Sequence, residues 1–397
     1  MRFGINCIQF NPTYRGGINT YTFGLLEGLA RVGAQHSFQI YATPKNYDAF
    51  ARFQNLPNFQ VIKLPVSPIF LRGLVAAGWF GFPFPLHRTI ANLTWRKAVA
   101  LQESLSDLIY TPTTNLFPYC YKIPTLISMH DIQYLHFPHF FSFREMQTQR
   151  IAFGLSVRHV NFIQSSCEFI KQDILQHFPH LTPHQFIIIR DGIDTTIWQS
   201  QNTTPRSQIP NLPPDKYLFY PAQLWPHKDH LTVLKALKLL KDRDGMTIPL
   251  VLTGASYGAA SEIFKFIESS AMQNQVKYLG KVPLDHLKTI YHNAHFIITA
   301  TIYESNSLTL LEAAAMQRPL IASNTPPNVE LADKLQINLF QVQNPADLAD
   351  LLKRIWLNDS LITRQVLHNN TAMAYFSWDR VAIDYLNFCQ AILKRRA

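Results

Sequence analysis

The sequence predicts an α/β protein of two Rossmann-like, doubly wound domains, and three observations predict it. Short apolar runs alternate with helical patterns through both halves of the chain, the mark of repeated βαβ units. The length, 397 residues, suits two cores, each of about 150–200 residues. Between the halves, residues 199–215 (QSQNTTPRSQIPNLPPD) are polar and rich in proline, and they read as an interdomain linker. The expected division is a first domain over 1–200, a linker over 201–216, a second domain over 217–375 and a closing helical segment over 376–397.

Composition narrows the partners. Apolar residues make up 47% and charged residues 16%, which is globular rather than disordered. Lys and Arg number 36 against 26 Asp and Glu, a net charge of +10 that favours anionic ligands or an anionic membrane surface. No zinc-finger spacing or arginine-rich tract is present, so nucleic acid is not the expected partner. Four scattered cysteines (Cys7, Cys120, Cys167, Cys389) imply neither a disulfide framework nor a metal site and fit a reducing cytosol. The opening residues read as a strand rather than a signal peptide, and no apolar run reaches the roughly 18–20 residues of a membrane span.

In the first half, residues 2–10 read as the first strand. Gly16-Gly17 then precedes a helix reaching about Val32, and a glycine pair there lets backbone amides approach an anion. Residues 37–42 and 59–64 are expected strands. The segment 69–101 is aromatic and basic, fitting either a membrane-interface segment or a core helix with a proline-broken loop. The strand 124–129 delivers His130-Asp131 to its carboxyl end. A histidine there can hydrogen-bond a sugar hydroxyl or serve only the local structure. A helix over 143–159, a strand over 160–164, a further helix and a strand over 186–189 follow.

The second half opens with a strand over 217–220 and the loop Gln223-Leu224-Trp225-Pro226-His227-Lys228. Ahead of a helix, Lys228 can place an ammonium on a diphosphate. Residues 249–253 end in Gly254, another strand-to-loop junction. The strand 296–300, a polar loop, a helix beginning near Leu308 and a strand over 319–322 form the most informative unit. Ser307 is an expected N-cap, and the amides near Ser307 and Leu308 can seat a phosphate. Glu304 lies at the strand's carboxyl end, where open α/β sheets bind ligands, and Glu312 in the second helical turn can accept from ribose hydroxyls. The competing reading leaves both glutamates solvated. The functional one calls for a nucleotide.

Glu304-x7-Glu312, followed by Arg318-Pro319-Leu320-Ile321-Ala322-Ser323, resembles the retaining glycosyltransferases of the GT-B fold, group 1 or family four, whose hallmark is E-x7-E. Arg190-Asp191-Gly192-Ile193-Asp194 is similar to that family's N-G-I-D, and residues 276–283 resemble its base-binding stretch. The resemblance implies two domains facing a central cleft, with the final helix crossing back to an acceptor-side first domain. It implies that His130, Asp131, Lys228 and Glu304 serve the reaction. Donor binding would fall to Gly16, Gly17, Gln223, Lys228, Gly254, Val282, Glu304, Ser307, Leu308 and Glu312. Gln223 stands where the family commonly has arginine.

The implied activity moves a sugar, with retention, from a nucleotide-diphosphate sugar to a glycan, lipid-linked or other hydroxyl acceptor. Cell-surface polysaccharide or glycolipid synthesis is the implied setting. No metal or other cofactor is expected, and the implied location is cytoplasmic or peripheral at the inner membrane face. The alternatives are a nucleotide-sugar-binding protein without turnover and a nucleotide-sugar epimerase.

Overall fold

The computed structural model describes residues 1–13, 16–64, 84–119, 121–200 and 204–394, with 84–94 and 359 as backbone only. The chain forms two compact units, Met1–Gly192 with Trp378–Ala397, and Ile193–Ser377. In the first unit, β1 (Arg2–Asn6), β2 (Ser37–Ala42), β3 (Phe59–Lys63), β4 (Leu108–Thr111), β5 (Thr125–Ser128), β6 (Phe162–Ser165) and β7 (Phe186–Ile188) form one sheet. Its order is β3-β2-β1-β4-β5-β6-β7, with parallel neighbours. Phe3 lies opposite Phe38 on one side and Leu108 on the other. All three are fully buried, as parallel strands covered on both faces must be.

The helix Gly17–Val32 covers this sheet and packs against the helix Trp378–Lys394, which returns to the first unit. Val381, Tyr385, Cys389 and Ile392 recur at helical spacing and enter the same core as β1 and β2. The contact is close because glycine permits it. A Cβ on Gly24 would overlap the Trp378 indole, and one on Gly28 would overlap the Trp378 carbonyl. Beneath the pair, the Tyr21 hydroxyl lies 2.8 Å from both Tyr110 Oη and Ser128 Oγ and also meets Tyr385 Oη. These buried hydroxyls satisfy one another.

The second unit carries β8 (Leu218–Pro221), β9 (Leu250–Thr253), β10 (Val276–Tyr278), β11 (Phe296–Thr299), β12 (Leu320–Ser323) and β13 (Asn338–Phe340). Their order is β10-β9-β8-β11-β12-β13, again parallel. In both sheets the strand order reverses once, between β1 and β4 and between β8 and β11. Loops at such a reversal diverge and leave a crevice at the strands' carboxyl ends. The two parallel, doubly wound sheets are those the sequence predicts.

Two expectations change in detail. The stretch read as a linker packs on the second unit: Ile209 is only 5% exposed in its core, and Arg206 reaches Asn293 Oδ1 at 3.2 Å and the Pro213 carbonyl. Trp198 joins the same core, so this unit begins at Ile193, well before 217. Proline and polar composition hid a few apolar anchors. Of the segment 69–101, the helix Phe84–Leu105 is described, whereas 69–83 lie outside the described residues. No helix among the described residues is long and apolar enough to cross a membrane.

Removing the buried Trp378 side chain by Trp378→Ala should lower stability by about 3–5 kcal/mol, measured by urea denaturation. Gly24→Val should destabilise the same contact by overlap. Unchanged midpoints in both variants would show that this packing carries no weight.

Candidate functional site

The residues at the β8/β11 crevice are held by hydroxyls. Tyr220, near the end of β8, accepts from the Ala300 amide at 3.1 Å and donates to the Lys228 carbonyl. One phenol therefore joins the loop after β8 to the loop after β11. Thr301 Oγ1 reaches the His227 carbonyl at 3.1 Å and the Tyr303 carbonyl at 2.6 Å, and the Ile302 amide donates to His227 at 2.9 Å. Asp229, with φ of 45°, turns the chain and caps the helix His230–Asp244 through the Thr232 amide. The tied loops bring Lys228 Nζ to 2.7 Å from Glu304 Oε2.

Both partners are largely withdrawn from water, their side chains 21% and 16% exposed. Burial, reinforced by the Lys228 ammonium, lowers the neighbouring imidazoles of His227 and His230 to about 3. They are neutral near pH 7, so Lys228 carries the positive charge of this loop. His230 also stacks on the Tyr220 ring at 4.5 Å.

At the start of the helix Leu308–Ala315, Ser307 occupies the N-cap position, but its hydroxyl makes no capping bond. Ser307 Oγ and Asn306 Nδ2 are buried without a hydrogen-bond partner. Such atoms carry a desolvation cost that a polar ligand would relieve. Leu308 is half-buried at the same turn. Glu312 is not joined to Glu304: its Oε2 accepts from Tyr291 Oη at 2.7 Å. Burial raises the Glu312 carboxyl to about 7, with the tyrosine bond pulling the other way.

Gln223 Oε1 accepts from Trp225 Nε1 at 2.9 Å, leaving the amide nitrogen as the group's donor. Trp225 stacks flat on Tyr257, with centroids 4.1 Å apart. Gly254 has φ of +122°, and a Cβ there would meet the Ala222 carbonyl at 2.5 Å. Its amide donates to Gly280 at 2.8 Å, which lets two strand-end loops run side by side. Val282 is half-buried against the unit's core.

The remaining expected residues belong to the first unit. Gly16 is the N-cap of Gly17–Val32 with φ of −165°, an extended conformation, and its carbonyl accepts from the Asn19 amide at 3.1 Å. A cavity of about 310 Å³ opens at the carboxyl ends of β1 and β4, lined by Gln9, Asn11, Asn19, Thr113 and Asn115 among others. His130 donates from Nε2 to the Pro112 carbonyl at 3.1 Å and meets the Tyr21 ring edge-on at 4.8 Å. Asp131 Oδ1 accepts from the Gln133 amide at 3.0 Å, a turn-forming bond not foreseen from the sequence.

Residues 202–372 match the family model described as glycosyl transferases group 1. The second unit is a group 1 glycosyltransferase domain. Over 237 residues the chain is 24% identical to the O-antigen chain mannosyltransferase B of Escherichia coli, covering 58% of this chain and 60% of that protein. It is 22% identical to an uncharacterized glycosyltransferase of Methanocaldococcus jannaschii, across 98% of this chain and 97% of the relative. Thus the match spans under two thirds of the Escherichia coli protein and nearly all of the archaeal one. Anabaena HepE, solved in complex with UDP and glucose, superposes with a TM-score of 0.68 at 16% identity, over 98% of this chain and all of HepE. Sucrose-phosphate synthase from Thermosynechococcus elongatus gives 0.71 at 16%, over 99% of both chains. These likenesses establish the GT-B fold.

Sequence reasoning named Lys228 and the two glutamates but missed Tyr220, Thr301, Tyr291 and Asn306. The signal available was local: Tyr220 ends the predicted strand, and Thr301 follows its counterpart.

Tyr220→Phe leaves a buried amide and a carbonyl without their shared hydroxyl and should cost about 1–3 kcal/mol in chemical denaturation. An unaltered midpoint would mean that the loops are tied elsewhere. The raised Glu312 carboxyl means that the folded chain holds this proton more tightly than the unfolded chain. Its stabilising contribution is full below pH 4.5 and is lost as pH rises through about 7. Glu312→Gln should therefore flatten the fall in denaturant midpoint across that window; an unchanged slope would contradict the burial argument.

Proposed function

We propose that the protein transfers a sugar from a nucleotide-diphosphate sugar to a hydroxyl of a glycan, lipid-linked or other acceptor, with retention at the anomeric carbon. The observation that carries this reading is the Lys228–Glu304 pair, 2.7 Å apart at the reversal of the second sheet. Beside it in sequence are the unpartnered Asn306 and Ser307 groups at a helix start. A cation and a helix N-terminus suit a diphosphate, and a carboxylate suits sugar hydroxyls. Glu312, one turn farther along, is assigned to the ribose, and the backbone around Val282 to the base. Support comes from the group 1 match and from the sugar-transferring relatives.

In the proposed reaction the anomeric C–O bond breaks and its electron pair leaves with the diphosphate. Lys228 and the amides near Ser307 and Leu308 stabilise that charge, supplying the electrostatics a cation would otherwise provide. The acceptor oxygen attacks from the same face, and its proton passes to the departing phosphate oxygen. Neither glutamate is assigned as a nucleophile. In the first unit, His130 and Asp131 are assigned to the reacting sugar, and Gly16 and Gly17 to phosphate. Polysaccharide or glycolipid synthesis on the cytoplasmic side is the proposed setting.

Gln223 favours a second reading, binding without turnover, because it offers one neutral donor where a guanidinium would offer a charged fork. The test is release of free nucleotide from UDP-, GDP- and ADP-linked sugars. One donor should turn over, Lys228→Ala should lower kcat on the order of 100-fold, and Glu312→Ala should chiefly raise KM. A donor that binds without hydrolysis or transfer would support the second reading. If no donor binds, both readings fail.

A further inference from the structure

The first unit gathers three metal-ligating side chains that the donor site does not use. His136 ends the helical turn Gln133–His136, while Asp173 and His177 lie one turn apart on the helix Glu168–His177. Asp173 is buried, 6% exposed, and its carboxylate oxygens stand 2.9 and 2.8 Å from His136 Nε2. One of them is 3.2 Å from His177 Nδ1. The two imidazole centroids are 5.2 Å apart, and one donor atom from each residue falls within 4.8 Å of the others.

We propose that His136, Asp173 and His177 bind one divalent transition-metal ion of the zinc class. Two imidazoles and one carboxylate form a donor set that suits zinc and leaves a fourth position for water. Magnesium and calcium would demand more oxygen ligands. Ligands about 2.0–2.1 Å from a tetrahedral ion stand roughly 3.3 Å apart, close to the present spacing of Asp173 from each ring. His177 Nδ1 also lies 2.9 Å from the Asp173 carbonyl, so ligation at that atom requires the ring to carry its proton on Nε2 instead.

The sequence carries a sign of this arrangement. His-Phe-Pro-His occurs at 136–139 and again at 177–180. In both copies the first histidine is the last helical residue, and Phe-Pro ends the helix behind it. Both imidazoles therefore sit at helix ends, with the buried Asp173 between them. A bound ion would fasten the segment leaving β5, which begins with His130-Asp131, to the helix that follows β6.

The test uses the full chain without a histidine tag, stripped by a chelator and titrated with zinc alone. Calorimetry and metal analysis after gel filtration should find one tight equivalent, and zinc should raise the melting temperature. Cobalt(II) should show the visible absorption of a low-coordinate site. His136→Gln keeps an amide donor for Asp173 but removes the ligand, and it should weaken zinc binding more than roughly 10-fold, a loss that even an outer-shell partner can cause. His177→Gln should do the same, and neither variant should gain melting temperature from zinc. The proposal is overturned if the wild type takes up no zinc, or if both variants bind it as tightly as the wild type.

Discussion

An ammonium and a carboxylate 2.7 Å apart, mostly screened from water, cannot be relied on to hold themselves together. Withdrawing both charges from solvent costs much of what their attraction returns, so the geometry must come from elsewhere. In this protein it comes from Tyr220, whose hydroxyl accepts from one loop and donates to the other, and from Thr301, which ties the same two loops again. His230 stacked beneath the phenol leaves that ring little freedom. Lys228 and Glu304 are held by neutral hydrogen bonds, and their own attraction is then available to a ligand.

The sheets explain why such a clamp occurs where it does. Both reverse their strand order once, and each reversal has an opening or a polar cluster at its carboxyl end. In the first unit it is an uncharged cavity, where Phe10, Ile18 and Phe153 stand among side-chain amides and hydroxyls. In the second it is charged, with buried polar atoms nearby whose bonding capacity is unused. The contrast in chemistry follows from the loops alone, since the strands beneath are equally apolar.

Much of this was legible from residue patterns. Buried parallel strands read as short apolar, β-branched runs, and 296–299 stood out for that reason. Leu108–Thr111 and Asn338–Phe340 went unread, the latter only three residues long and without a β-branched side chain. Lys228, Glu304 and Glu312 were visible because each sits at a fixed place in a strand-loop-helix unit. Their supports were not: Tyr220 and Ala300 are 80 residues apart, and Tyr291 reaches Glu312 across 21. The proline-rich stretch misled for a related reason, since Ile209 and Trp198 reveal themselves as core only when their partners are known. Composition reports solvent preference, whereas anchoring depends on contacts distant in sequence.

The return of Trp378–Lys394 to the glycines of Gly17–Val32 sets an order on biosynthesis. The unit that begins at Met1 lacks a wall of its core until residues made after the whole of Ile193–Ser377 have left the ribosome. The continuous unit can close as soon as its own strands are out, whereas the earlier-made sheet waits with the Gly24–Gly28 face uncovered. During that interval the nascent chain exposes an apolar surface to chaperones. A ribosome halted anywhere before Trp378 would leave that surface bare.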